Sequence, residues 1–184
     1  ETTMPYTNDY KIPDSIPEYQ AISTQKKTDW TAKWIWDKEN LTEENVWMCF
    51  NKKVTLDKVP EEVIADISAD SKYWLYINGE TVVYEGSVKR GPDKNSGYYD
   101  SIDIAPYLKK GENSICALVW YWDNETSYSY SGSGQGGFIF EAIGENINIV
   151  SDKSWKVKRN PAFIDSALYP PNYRLPEYSI YFDA

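Results

Sequence analysis

The chain has 184 residues, 41% hydrophobic and 26% charged, with a formal net charge of −9 and no histidine. That length suits one domain with ordered extensions, and the apolar share is adequate for a core. The acidic balance, with no Lys/Arg stripe, argues against a nucleic-acid partner, and the missing histidine excludes Ser–His, Cys–His and His-ligated metal schemes within this chain.

Eight Trp and sixteen Tyr stand against five Phe. Trp and Tyr join a flat apolar face to a polar handle, which suits strands, interfaces and sugar-stacking surfaces; most of these rings are expected in the core, packing across strands.

Residues 1–32 are polar and broken by Pro5, Pro13 and Pro17, so they read as an extended lead-in lying across the domain. The first strand is predicted at residues 33–37 (KWIWD) and a longer one at 46–56 (VWMCFNKKVTL). Residues 62–69 alternate, with Val63, Ala65, Ile67 and Ala69 on one face and Asp66, Ser68 and Asp70 on the other. In residues 73–84, Asn78-Gly79 is the dipeptide that a type I′ hairpin turn requires. A two-residue turn there pairs Leu75 with Val82, Tyr73 with Tyr84 and Trp74 with Val83. The strand is aromatic on both faces, as one covered on both sides or lining a site would be.

After a loop at 86–97 comes a strand at 98–104, then a helical turn at 106–110 stopped by Gly111 in the left-handed conformation. Ile104 and Leu108 are expected to anchor that turn. Residues 114–122 are continuously apolar and predict a central strand. The stretch 123–137 (DNETSYSYSGSGQGG) is a long loop of the kind that tends to carry function. Closing strands are predicted at 138–143, 147–150 and 155–157, followed by a Pro-rich tail. The pattern predicts an all-β, antiparallel sandwich or jelly roll at 33–158, flanked by the lead-in and by a tail at 159–184.

Several of these segments resemble the N-terminal β-sandwich domain of bacterial α-L-rhamnosidases, a galactose-binding-domain-like jelly roll. The likeness is carried in order by KWIW at 33–36, the strand around residues 47–50, SADSKYWLYING at 68–79 and KRGP at 89–92. It continues through YYD at 98–100, DIAPYL at 103–108, GEN at 111–113 and QGGF at 135–138. It spans about residues 33–155. The hairpin and the DIAPYL turn are common to many such jelly rolls, whereas the ordered set is more specific. The terminal IYFDA resembles the segment at which these enzymes pass into their next domain. The resemblance implies a large multidomain enzyme that releases terminal α-L-rhamnose with inversion, using carboxylates in an (α/α)₆ barrel. This chain shows no long amphipathic helix from which to build that barrel, so no catalytic residue carries over and the fragment is expected to be non-catalytic. The implied partners are a plant or microbial glycan containing rhamnose and a catalytic domain of the same parent chain.

A neutral pyranose needs an aromatic platform for its C–H face and polar groups for its hydroxyls. Trp122 or Tyr98 are the candidate platforms, with Arg90, Asp93, Asp123 and Asn124 as hydroxyl partners, between the loops after Tyr84 and after Trp122. Set against that, Arg90 and Asp123 pair structurally and the module only buttresses a catalytic domain. A third reading takes Tyr128 and Tyr130, among Ser and Gly, as a protein-recognition loop. Asp123, Asn124 and Glu125 are hard oxygen ligands suited to Ca²⁺, though in no EF-hand spacing, and no other cofactor is required. The carboxylates Asp66 and Asp70 share a strand face but no catalytic motif, and are expected to be solvated. Cys49 and Cys116 fit two buried thiols, with a cross-strand disulfide as the alternative. No signal-like start or membrane-length segment is visible, and a chain that begins at Glu1 leaves localisation open.

Overall fold

The computed structural model describes residues 27–164, apart from 28, 41, 87–96, 123–125, 128 and 129, together with 178 and 180–183. Among them the strands are β1 (Val46–Leu56), β2 (Ile64–Asp70), β3 (Lys72–Ile77), β4 (Glu80–Gly86), β5 (Asp100–Asp103) and β6 (Gly111–Tyr121). They are followed by β7 (Thr126–Ser127), β8 (Tyr130–Ser131), β9 (Gly137–Gly144), β10 (Ile147–Val150), β11 (Lys156–Arg159), β12 (Phe163–Ile164) and β13 (Tyr181–Phe182). Two antiparallel sheets, ordered β11-β1-β6-β3-β4 and β10-β9-β2-β5, make the sandwich; β7–β8 and β12–β13 are small ribbons beside it. The fold is all-β, as the alternation required.

The core lies where the two inner faces meet. Met48, Phe50, Tyr73, Leu75, Ile77 and Val119 come from the larger sheet, and Ala65, Ile67, Ala69, Phe138 and Phe140 from the smaller. Full burial of a Phe, Ile or Leu is worth roughly 1.5–3 kcal/mol each, so period-two alternation fixes which face of each strand turns inward. β6 is central, paired along its whole length with β1 and along its second half with β3.

A second aromatic cluster covers the outer face of the larger sheet. Trp47 stacks on Trp120 (4.4 Å between centroids), on Trp74 (5.4 Å) and on Phe163 (3.9 Å). Tyr178 packs on the same group and its hydroxyl donates to Glu44 at 3.0 Å. Trp47, Trp74, Trp120 and Trp122 thus form a second buried cluster beneath Phe163 and Tyr178, and β3 is covered on both faces.

Three local expectations change. Residues 33–37 form a single bridge, Ile35 to Phe138, because the chain turns away into a 3-10 turn at Lys38–Asn40. The helical turn is shorter than expected, a 3-10 turn at Ala105–Tyr107, yet Ile104 and Leu108 are buried beside it and Gly111 has φ of 92°. The Asn78-Gly79 turn forms with φ of 54° and 89°, but the register slips beyond it. Leu75 pairs with Val83, and Tyr73 with Gly86 instead of Tyr84. The reason lies in packing: the Tyr73 ring fills the space over Gly86, where a Cβ would stand 2.4 Å from Cζ. Tyr73 needs a glycine opposite it, and the irregularity in β4, with Glu85 at φ of 59°, brings Gly86 there.

Candidate functional site

At the end of the sandwich where β2 gives way to β3, β6 ends and β9 begins lie the described members of the candidate site, Tyr98 and Trp122, with Asp70 between the strands. Asp70 is buried at 2% exposure. Its carboxylate accepts from the Ser133 amide (2.9 Å) and the Ser71 hydroxyl (3.1 Å). The Ser71 hydroxyl in turn accepts from the Trp122 amide at 3.2 Å. Asp70 thus anchors the glycine-rich stretch before β9, and a carboxylate so enclosed does not meet a substrate. Asp66 is not a solvated acid either: it binds the Lys27 ammonium and the Ser101 hydroxyl.

Lys27 also reaches Glu141 at 2.9 Å and lies 4.3 Å from the Trp30 ring centroid. Glu141 accepts from the Thr31 and Ala32 amides at 2.6 and 2.8 Å. Burial alone would raise the Glu141 pKa, but Lys27 and the two amides outweigh it and hold the carboxyl below its usual range. Burial likewise opposes the charge on Lys27, and its two acidic partners still raise its pKa. Lys27, Thr31 and Ala32 are thus clasped onto the outer face of the smaller sheet, which explains why β2 keeps Asp66 on that face. Burial, reinforced by Asp100, pushes the Tyr73 phenol far above its ordinary value; its hydroxyl donates to Asp100 at 2.7 Å.

Of the two candidate platforms, the structure separates one from the other. Tyr98 is 66% exposed, with its carbonyl accepting from Ser68 at 2.8 Å. Trp122 is 1% exposed: its ring meets Trp120 edge-on at 5.8 Å, and the Lys72 ammonium lies 5.7 Å from its centroid. Trp122 sits two residues beyond Trp120 on the covered outer face, so it is part of the second core and offers no stacking face. Arg90, Asp93, Asp123, Asn124, Glu125 and Tyr128 lie outside the described residues, as do the side chain of Tyr130 and hence the expected calcium ligands. Among the described residues, no group of three His, Cys, Asp or Glu is placed to hold a metal. Cys49 and Cys116 are unjoined, half-buried thiols on neighbouring strands, and burial pushes the Cys49 thiol up.

Sequence reasoning passed over the open surface at residues 33–36. Trp34 is 56% exposed, its benzo ring resting against Gly137, where a Cβ would stand 2.8 Å from Cε3. Trp36 rests in the same way on Gly136 but turns inward, packing on Phe50 and Tyr121 and donating from Nε1 to the Asn40 carbonyl. The signal was present as two tryptophans around one isoleucine and a later Gly-Gly pair, although nothing local connects them. At the opposite end of the smaller sheet, Val63, Ile64, Ile143 and Ile147 line a shallow depression together with Glu62 and Glu145, so it is of mixed polarity.

Over 73% of its length the chain matches the structure of a GH78 family rhamnosidase from Bacillus sp. GL1, at 30% identity and a TM-score of 0.63, covering 14% of that enzyme. The shared part is a β-sandwich in both proteins. The α-L-rhamnosidase of Dictyoglumus thermophilum matches the same share of the chain (23% identity, TM-score 0.58, 17% of the enzyme covered). That of Aspergillus terreus matches 70% of it (22% identity, TM-score 0.53, 16% of the enzyme covered). These two agree in fold. No family model matches the chain, and no curated protein does. The chain therefore spans about a sixth or less of the enzymes it resembles.

Proposed function

We propose that this chain is a non-catalytic accessory domain of an α-L-rhamnosidase-like glycoside hydrolase, binding or presenting rhamnose-containing glycan to a catalytic domain of the same parent chain. The observation that carries this reading is the match to the Bacillus rhamnosidase, close in fold and confined to a small part of that enzyme. The loop end supports it: the buried Asp70 there is committed to holding the Ser133 backbone, while aromatic surface is left open at Tyr98 and Trp34. Stacking and hydroxyl hydrogen bonding are what such a surface offers a sugar.

Affinity electrophoresis tests it. The chain should migrate more slowly through gels containing a rhamnose-rich pectic polysaccharide than through gels containing an unrelated glucan. It should also release no rhamnose from an aryl-rhamnoside. Equal mobility in both gels would count against binding, and rhamnose release would count against an accessory role.

One observation favours the alternative, a purely structural module. Ile164, Ile180, Tyr181 and Phe182 are each about half exposed on the β12–β13 ribbon, forming an apolar surface of the sort that packs against a neighbouring domain.

A further inference from the structure

We infer that Trp34 is the stacking platform for a neutral pyranose, with the stretch 133–137 as its polar flank. The inference rests on the carbohydrate-binding reading above and assigns its contact residue. Trp34 differs from the other exposed rings in how firmly it is seated. Ile35 and Phe138 exchange both backbone hydrogen bonds, at 2.9 and 3.1 Å. The Lys33 amide donates to the Ser151 carbonyl at 2.8 Å, and the Ser151 hydroxyl donates to the Lys33 carbonyl at 2.6 Å. The backbone on both sides of Trp34 is thus tied into the sheet. Its ring then lies on the one residue type that leaves room for it, Gly137. A ring fixed in place by its own fold loses little freedom when a ligand covers it, which is what distinguishes a binding surface from a mobile aromatic.

The flank is fixed as well. Gly137 pairs with Asp70 across β9 and β2, and Asp70 holds the Ser133 amide. The Ser133 hydroxyl donates to the Gln135 carbonyl at 2.9 Å. The buried carboxylate therefore sets the path of the segment that ends beneath the indole and leaves the Gln135 side chain exposed. A side-chain amide offers both donor and acceptor to vicinal hydroxyls. An open indole, with a neutral side-chain amide two residues before its glycine seat, suits an uncharged sugar with an apolar C–H face, of which a 6-deoxyhexose is the most apolar common kind.

The test is calorimetric titration of L-rhamnose and a rhamnosylated oligosaccharide into the intact chain, its W34A and W34F variants, and Q135A. Wild-type protein should give saturable heat, and W34A should weaken binding about tenfold or more with the melting temperature unchanged. W34F, which keeps a π-face, should recover part of the loss, and Q135A should weaken binding by a smaller factor. In wild-type protein the sugar should also shift the Trp34 indole N–H resonance, a readout independent of any variant's folding. Undiminished heat in folded W34A, with no indole shift, overturns the platform and leaves the carbohydrate-binding reading standing. Absence of heat in the wild type at millimolar sugar overturns both.

Discussion

Replacing Gly86 with alanine tests the packing that sets the β3–β4 register. The new methyl would stand 2.4 Å from Tyr73 Cζ, 2.5 Å from Cε1 and 2.8 Å from the hydroxyl oxygen. Tyr73 is fully buried, packs near Phe138 and is tethered to Asp100, so its ring has nowhere to go. Overpacking of this kind costs about 1–3 kcal/mol. Displacing the phenol from Asp100 adds roughly 1.5–3 kcal/mol for a hydrogen bond to a charged partner. A total of about 2.5–6 kcal/mol corresponds to a fall in melting temperature of roughly 5–24 °C for a domain of this size. Thermal melts followed by near-ultraviolet circular dichroism measure it. Tyr73→Leu should be destabilising alone, yet should offset much of the cost of Gly86→Ala when the two are combined, a coupling that a double-mutant cycle isolates. A Gly86→Ala protein melting within a degree of the wild type would refute the packing argument and the register built on it.

Glu141→Gln should loosen the attachment of Lys27, Thr31 and Ala32 at neutral pH. The folded carboxyl titrates below its unfolded value, so its contribution is complete above about pH 4.3 and is lost as pH falls through the folded value. Melting curves should show the gap between wild type and variant closing on acidification, whereas a gap constant from pH 7 to pH 3 would refute the clasp. Asn113 is fully buried; its carbonyl accepts from Lys109 N and Asn78 Nδ2, and its amide donates to the Lys109 and Gly111 carbonyls. Asn113→Ala should cost about 2–4 kcal/mol in urea unfolding, with a loss under 1 kcal/mol contradicting that role. Trp47→Ala removes the centre of the second cluster and should cost about 3–5 kcal/mol. It should also raise hydrogen exchange at Asn160, whose amide donates to the Trp47 carbonyl; unchanged exchange there would separate the tail from the stack.

What the sequence disclosed depended on how local the cause was. The bounds of β1 and the Asn78-Gly79 turn follow from alternation and from two residues that tolerate positive φ, and both are found as read. The slip beyond that turn was hidden, because it depends on the volume of Tyr73 meeting Gly86 and not on any turn rule. An apolar run containing Trp120 and Trp122 shows that the strand is covered, but not that Phe163 and Tyr178 help cover its outer face. That is why Trp122 read as a platform and is found buried. Trp34 is the converse case: its seat is Gly137, a hundred residues away in sequence, and only the Ile35–Phe138 bridge brings the two together. The acids of β2 looked solvated because their partners, Lys27 and Ser133, belong to segments with no periodicity to place them.

An accessory sugar-binding domain must take up rhamnose when folded alone. Titrating L-rhamnose into it to millimolar concentration, with Ca²⁺ and again with chelator, should give a saturable isotherm in at least one of the two conditions. A flat trace in both, from protein that melts cooperatively, would contradict the central claim and favour the module that only buttresses its neighbour.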